Sequence, residues 1–180
     1  RASDRALALS QRLNNTPQLL QSMLLKQFAH STRAEHRAAL AVAEQRYSLI
    51  QHLDDPLHAL FGHMGLTITC MFVGQFARSL RHLEETMARY DIDLCRPLVD
   101  TLGSDPGIGA LSIGLYSLWY SGYPDQALQE SQEGLALAHE LDHPFALHFL
   151  LTFKSRLHRW RYEIEDVRHI AEIQMDLGRE

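Results

Sequence analysis

His139-Glu140-Leu141-Asp142-His143 spells H-E-x-x-H. On a continuing helix that spacing sets two imidazoles on one face to hold zinc, with the glutamate beside them as general base for hydrolysis. Such a site also needs a third ligand. Pro144 follows the second histidine at once, so His143 falls at a helix end. A loose hold on adventitious zinc suits this pair better than catalysis, and no catalytic residue, structural metal or cofactor is assigned. A zinc hydrolase stays as the remote alternative.

Other reactive residues fall short of a constellation. Gly103, Gly107 and Gly109 precede a helical pattern as a phosphate loop would. No Lys-Ser or Lys-Thr follows and no strand precedes, so a turn into a proline-started helix explains them. Nine further histidines, from His30 to His169, are scattered, and His58 and His63 share a face poorly. They read as surface or groove residues. Cys70 lies in an apolar helix and is expected to be packed, whereas Cys95 sits in an irregular stretch as an exposed thiol. Arg78, Arg81 and Arg89 stand among Glu84, Glu85 and Asp91, a solvated mixed face.

The elements that position these residues come from a repeat. Pro17, Pro56, Pro106 and Pro144 each suit the first turn of a helix, at spacings typical of stacked helix pairs. Residues 37–56 align without a gap on 125–144, with identities at Ala39/Ala127, Leu40/Leu128, Leu49/Leu137, Leu53/Leu141, Asp54/Asp142 and Pro56/Pro144. First helices are expected over 17–30, 57–73, 107–121 and 145–159, and second helices over 33–53, 75–90, 124–141 and 162–177. Residues 9–17 share the ending of a second helix, which implies a partial earlier repeat. Residues 91–106 break the period and are expected to form an inserted loop. No stretch alternates cleanly with period two.

The chain has 180 residues, 46% hydrophobic and 22% charged, enough for one packed domain spanning 1–180. Its formal net charge of −5 argues against nucleic acid and anionic membranes as partners. Two cysteines and no apolar run long enough to span a bilayer fit a cytoplasmic setting. The chain begins with Arg1, and we expect a fragment of a longer protein.

Three stretches carry a family likeness: Gly103-Ser-Asp-Pro-Gly-Ile-Gly-Ala-Leu-Ser, Leu118-Trp-Tyr-Ser-Gly-Tyr-Pro-Asp-Gln-Ala-Leu, and Leu135-Ala-Leu-Ala-His-Glu-Leu-Asp-His-Pro-Phe-Ala-Leu. Together they resemble the tetratricopeptide-like C-terminal region of bacterial STAND-type signalling ATPases, many of them fused to class III adenylate or guanylate cyclases. The likeness is strongest over 74–160, and the fourth unit departs from it, with Trp160-Arg-Tyr-Glu in place of a glycine turn.

The resemblance implies an all-α, right-handed superhelix of about four antiparallel helix pairs. It also implies a non-catalytic, regulatory role toward a protein, a peptide or neighbouring domains of the same chain. Sensing of a small-molecule inducer, within a transcriptional regulator or cyclase, is the alternative. In the family the first helix of each pair lines the concave side. Anchoring the register on Ala39, Ala77, Ala127 and Asp166 then places Phe28, Leu66, Tyr116, Trp119, Tyr120, Ser155, His158 and Arg159 toward a groove. The competing account of the three aromatics is packing between adjacent repeats.

Overall fold

The computed structural model describes Arg5, Leu9 and residues 15–102 and 105–179. Residues 10–14 of the expected partial first repeat, and Gly103, lie outside the described residues. Within them the chain is all-helical, without a strand. Its helices are α1 (Thr16–Thr32), α2 (His36–Ile50), α3 (Pro56–Phe72), α4 (Phe76–Ala88), α5 (Ile92–Leu102), α6 (Pro106–Tyr120), α7 (Pro124–Leu141), α8 (Pro144–Trp160) and α9 (Ile164–Leu177). Four antiparallel pairs follow: α1 with α2, α3 with α4, α6 with α7, and α8 with α9.

Each first helix starts on a side-chain cap or a proline. Asn15, Asp55 and Asp105 accept from the amides of Gln18 (3.2 Å), His58 (3.0 Å) and Ile108 (2.8 Å). A proline fills the first turn each time, where its missing N–H costs nothing. The fourth first helix begins in the same way, with Pro144 after His143.

Each first helix also ends in one way. Ala34, Gly74, Gly122 and Tyr162 take the left-handed conformation. The amides that follow them, of Glu35, Gln75, Tyr123 and Glu163, donate back to the carbonyls of His30, Cys70, Leu118 and His158 at 2.9–3.0 Å. This is the Schellman closure, which satisfies carbonyls the helix would otherwise leave unpaired. Glycine takes the turn in the second and third units, whereas the first and fourth place alanine and tyrosine there against their preference.

The pairs stack in order, with α3 on α6 and α6 on α8, while α2 packs on α3, α4 on α6 and α7 on α8. Close approach depends on small residues: a Cβ added to Gly114 would lie 2.4 Å from the Leu83 side chain. Between α3, α4 and α6 a chain of buried hydroxyls runs beside the apolar cluster of Leu83, Ala110 and Leu111. Ser79 Oγ donates to the Thr67 carbonyl at 2.7 Å, and Ser117 Oγ donates to Ser79 Oγ at 2.8 Å.

Three expectations need correction here. The segment 91–106 is not a loop, because 92–102 form α5. Asp91 caps it, accepting from the amides of Asp93 (2.9 Å) and Leu94 (3.1 Å), and Ile92, Cys95 and Val99 turn one face inward. Cys95 is consequently fully buried rather than exposed, and burial pushes its thiol up to about 11. Arg96 reaches from α5 to the carbonyls of Leu141 (2.9 Å) and Glu140 (3.1 Å) at the end of α7. The third correction is the register. Counted from the left-handed turns, the residues equivalent to Ala39 and Ala127 are Ser79 and Val167, not Ala77 and Asp166, which are exposed. A serine fills the small-residue place because its hydroxyl finds the Thr67 carbonyl.

Tyr162 is 88% exposed, so its left-handed φ of 60° is offset by little packing. Tyr162→Gly is expected to raise the unfolding free energy by roughly 0.5–1 kcal/mol, and Gly122→Ala to lower it by roughly 1 kcal/mol. Urea denaturation checks both.

Candidate functional site

The H-E-x-x-H residues do not share a helix face. His139 lies in the last turn of α7, Asp142 takes a left-handed φ of 52°, and His143 caps α8. The chain turns between the two imidazoles, and Glu140 cannot stand between them as a base.

His158, Glu163 and Asp166 form a second grouping of metal-ligand type. His158 Nδ1 lies 2.7 Å from Glu163 Oε2 and 4.0 Å from Asp166 Oδ2. His30 and Glu35 make the same contact at the same place in the first pair, and Cys70 Sγ meets Gln75 Oε1 there in the second at 3.9 Å. The contact ties the end of a first helix to the start of its partner. In the fourth pair burial holds the Lys154 ammonium below its usual range, and the Asp166 carboxylate pulls weakly the other way. The same contact recurs at the same place in three pairs, so the grouping reads as a joint.

The residues expected to line a groove divide. Phe28 is 68% exposed on α1, and Arg159 is exposed on α8. Leu66 is fully buried among Leu40, Ala43 and Cys70, a consequence of the mistaken anchor at Ala77. His158 is buried at its joint, and Ser155 is half-buried. The shift of anchor from Asp166 to Val167 moves the equivalent places to Arg156, Arg159 and Trp160. Tyr116, Trp119 and Tyr120 do come together, but around Trp160 of the next pair. Their ring centroids lie 5.1, 5.1 and 5.4 Å from it, and Phe153 lies 5.0 Å from Tyr116. Tyr116 is thereby buried and Trp119 half-buried, so packing between repeats accounts for both. Tyr120 stays 53% exposed, and Phe76 stacks on it at 5.3 Å.

With the register corrected, the last residues of the first helices line up as Phe72, Tyr120 and Trp160. The first residues of the preceding second helices cover two of them: His36 stacks on Phe72 at 4.8 Å, and Phe76 on Tyr120. An aromatic row thus runs along the turn edge of the stack, where Tyr123, Tyr162 and Ile164 are also exposed.

A second constellation was not anticipated. The α3–α4 hairpin folds about residue 73, which brings His63 beside His82. Their Nδ1 atoms lie 3.1 Å apart. Tyr47 of α2 sets its hydroxyl 3.2 Å from His63 Nε2 and its ring edge-on to both imidazoles. Over them opens a cleft of about 540 Å3 lined by Arg78, Arg81, Glu84, Glu85 and Arg89. Glu44 holds Arg78, and Glu85 holds Arg89. Burial holds both imidazoles below the usual histidine range, His82 at about 4, and the neighbouring arginines push the same way. Symmetry about the turn carries this signal in the sequence, whereas spacing along one helix sets His63 only against His58.

No family model matches the chain, and no curated protein matches it. No helix among the described residues is long and apolar enough to cross a membrane.

Because the folded state prefers both histidines neutral, stability is full above their unfolded value near pH 6.5. It falls as pH drops from there toward about 4, the folded value of His82. Urea midpoints measured across this window are expected to fall for the wild type. They are expected to fall less for His82→Gln, which keeps every carboxylate and arginine around the cleft and removes one half-buried imidazole.

Proposed function

We propose that the chain is a non-catalytic interaction and regulatory module of a multidomain bacterial signalling ATPase or nucleotide cyclase, acting in the cytoplasm. The aromatic row along the turn edge is the observation that supports it. Tyr120, Tyr123, Tyr162 and Ile164 are each more than half exposed on neighbouring pairs. Exposed apolar and aromatic side chains gathered at one edge suit protein contact, where tyrosine is favoured as an anchor. The occupant is an extended protein segment with apolar side chains, from a partner or from a neighbouring domain. The signalling context is supported by the sequence resemblance alone.

A small-molecule effector is the second reading. A cleft of about 890 Å3 between Phe76, Leu80, Arg78 and Tyr123 favours it. That cleft is open along its length, and small ligands prefer sites that enclose most of their surface. The acidic balance of the chain supports neither nucleic acid nor an anionic membrane as partner.

A photo-crosslinking amino acid at Tyr120 is expected to form a discrete protein adduct in cells. The same group at Gln129, exposed on α7, is expected to form none. Equal labelling at both positions, or at neither, would count against the reading. Tyr120 is a better probe than Trp119, whose replacement by alanine also removes packing on Trp160 and is expected to cost roughly 2–3 kcal/mol of stability.

A further inference from the structure

We propose that His63 and His82 form the core of a binding site for a divalent transition metal of the zinc class, with Glu85 as third ligand. The geometry of the pair is the first support. Zinc–nitrogen bonds of about 2.0–2.1 Å at a tetrahedral angle set two nitrogens about 3.3 Å apart. The two Nδ1 atoms stand 3.1 Å apart, with their ring planes inclined at 51°. The separation is within a few tenths of an ångström of the zinc spacing, and metal entry requires both rings to turn from their mutual hydrogen bond toward a common point in the cleft.

The outer partner is in place as well. Ligating histidines hold their second nitrogen to a neighbouring group, which fixes the tautomer and the ring. Tyr47 Oη lies 3.2 Å from His63 Nε2, and the tautomer that donates to it keeps the His63 Nδ1 lone pair for a metal. In His82 the proton moves from Nδ1 to Nε2, and both imidazoles ligate as neutral bases.

Glu85 follows His82 by three residues on α4, so both occupy one helix face. Its carboxylate is now held by Arg89 and must turn from that arginine to reach the metal. The cleft above the pair gives an entry path and room for water to complete the shell. Imidazole donors select zinc, nickel, cobalt or copper rather than calcium or magnesium, which demand oxygen. Arg78, Arg81 and Arg89 line the same cleft and oppose a cation. Glu44 offsets Arg78, and Glu84 lines the same cleft, so the affinity belongs in the micromolar range.

Calorimetric titration of the wild type with zinc chloride alone, at neutral pH, is expected to show one equivalent bound with a Kd of roughly 1–100 µM. His82→Ala is expected to weaken binding at least about tenfold and Glu85→Gln several-fold. Arg89→Ala frees the carboxylate and removes a positive charge, and is expected to tighten binding. His139→Ala serves as control for surface histidines and is expected to change nothing. Independent of any variant, ring 15N signals of the wild type report the ligands directly, with zinc expected to shift those of His63 and His82. The proposal is overturned by shifts confined to other histidines, by a His82→Ala protein that is folded and binds as the wild type does, or by a wild-type Kd above about 1 mM.

Discussion

The closure at the end of each first helix constrains everything that follows it. One residue in the left-handed region and one amide reaching back to the carbonyl five residues earlier reverse the chain at a fixed angle. Once that bond is made, residues equidistant from the turn become neighbours across the pair. Cys70 meets Gln75, Ser79 meets Thr67, and His63 meets His82. In the first three pairs the small residue five positions beyond the left-handed turn (Ala39, Ser79 or Ala127) is then buried against the partner helix, and Val167 takes that place in the fourth. Apolar burial supplies the driving force, but the turn decides which side chains share it.

Helix existence was legible because prolines, caps and apolar spacing agree with one another at almost every junction. Expected and observed limits differ by a few residues, as helix ends commonly do. The failures came where chemistry of different kinds fills one structural place. Ser79 occupies an alanine position through a hydroxyl bond, and Tyr162 occupies a glycine position through strain. Neither substitution shows in a comparison by residue type. Residues 92–102 were read by their period alone, although Ile92, Cys95 and Val99 already had helical spacing. The groove residues inherited the register error, which is why Leu66 was assigned to a surface it does not reach. Trp160, the centre about which the third pair's aromatics gather, belongs to a different pair and has no local signal.

Beside apolar packing and ion pairs such as Arg78–Glu44, two kinds of contact between pairs differ in character. Near the middle of the stack the links are short and directional, through Ser79 and Ser117. Along the turn edge they are broad, through stacked rings. Helical-repeat arrays behave approximately as chains of nearest-neighbour units, and these contacts set the strength of each step. The polar link gives orientation, because a hydroxyl donor fixes one geometry. The aromatic link tolerates small rotations between neighbours.

α5 breaks that one-dimensional scheme. It leaves the end of α4, buries Cys95 and Val99, and fastens Arg96 to the final carbonyls of α7. It therefore braces the second pair to the far end of the third. Under a pulling force, a simple stack sheds its units one at a time from an end. Here the third pair cannot peel from the second until the Arg96 clasp lets go, so the two yield together as one mechanical block.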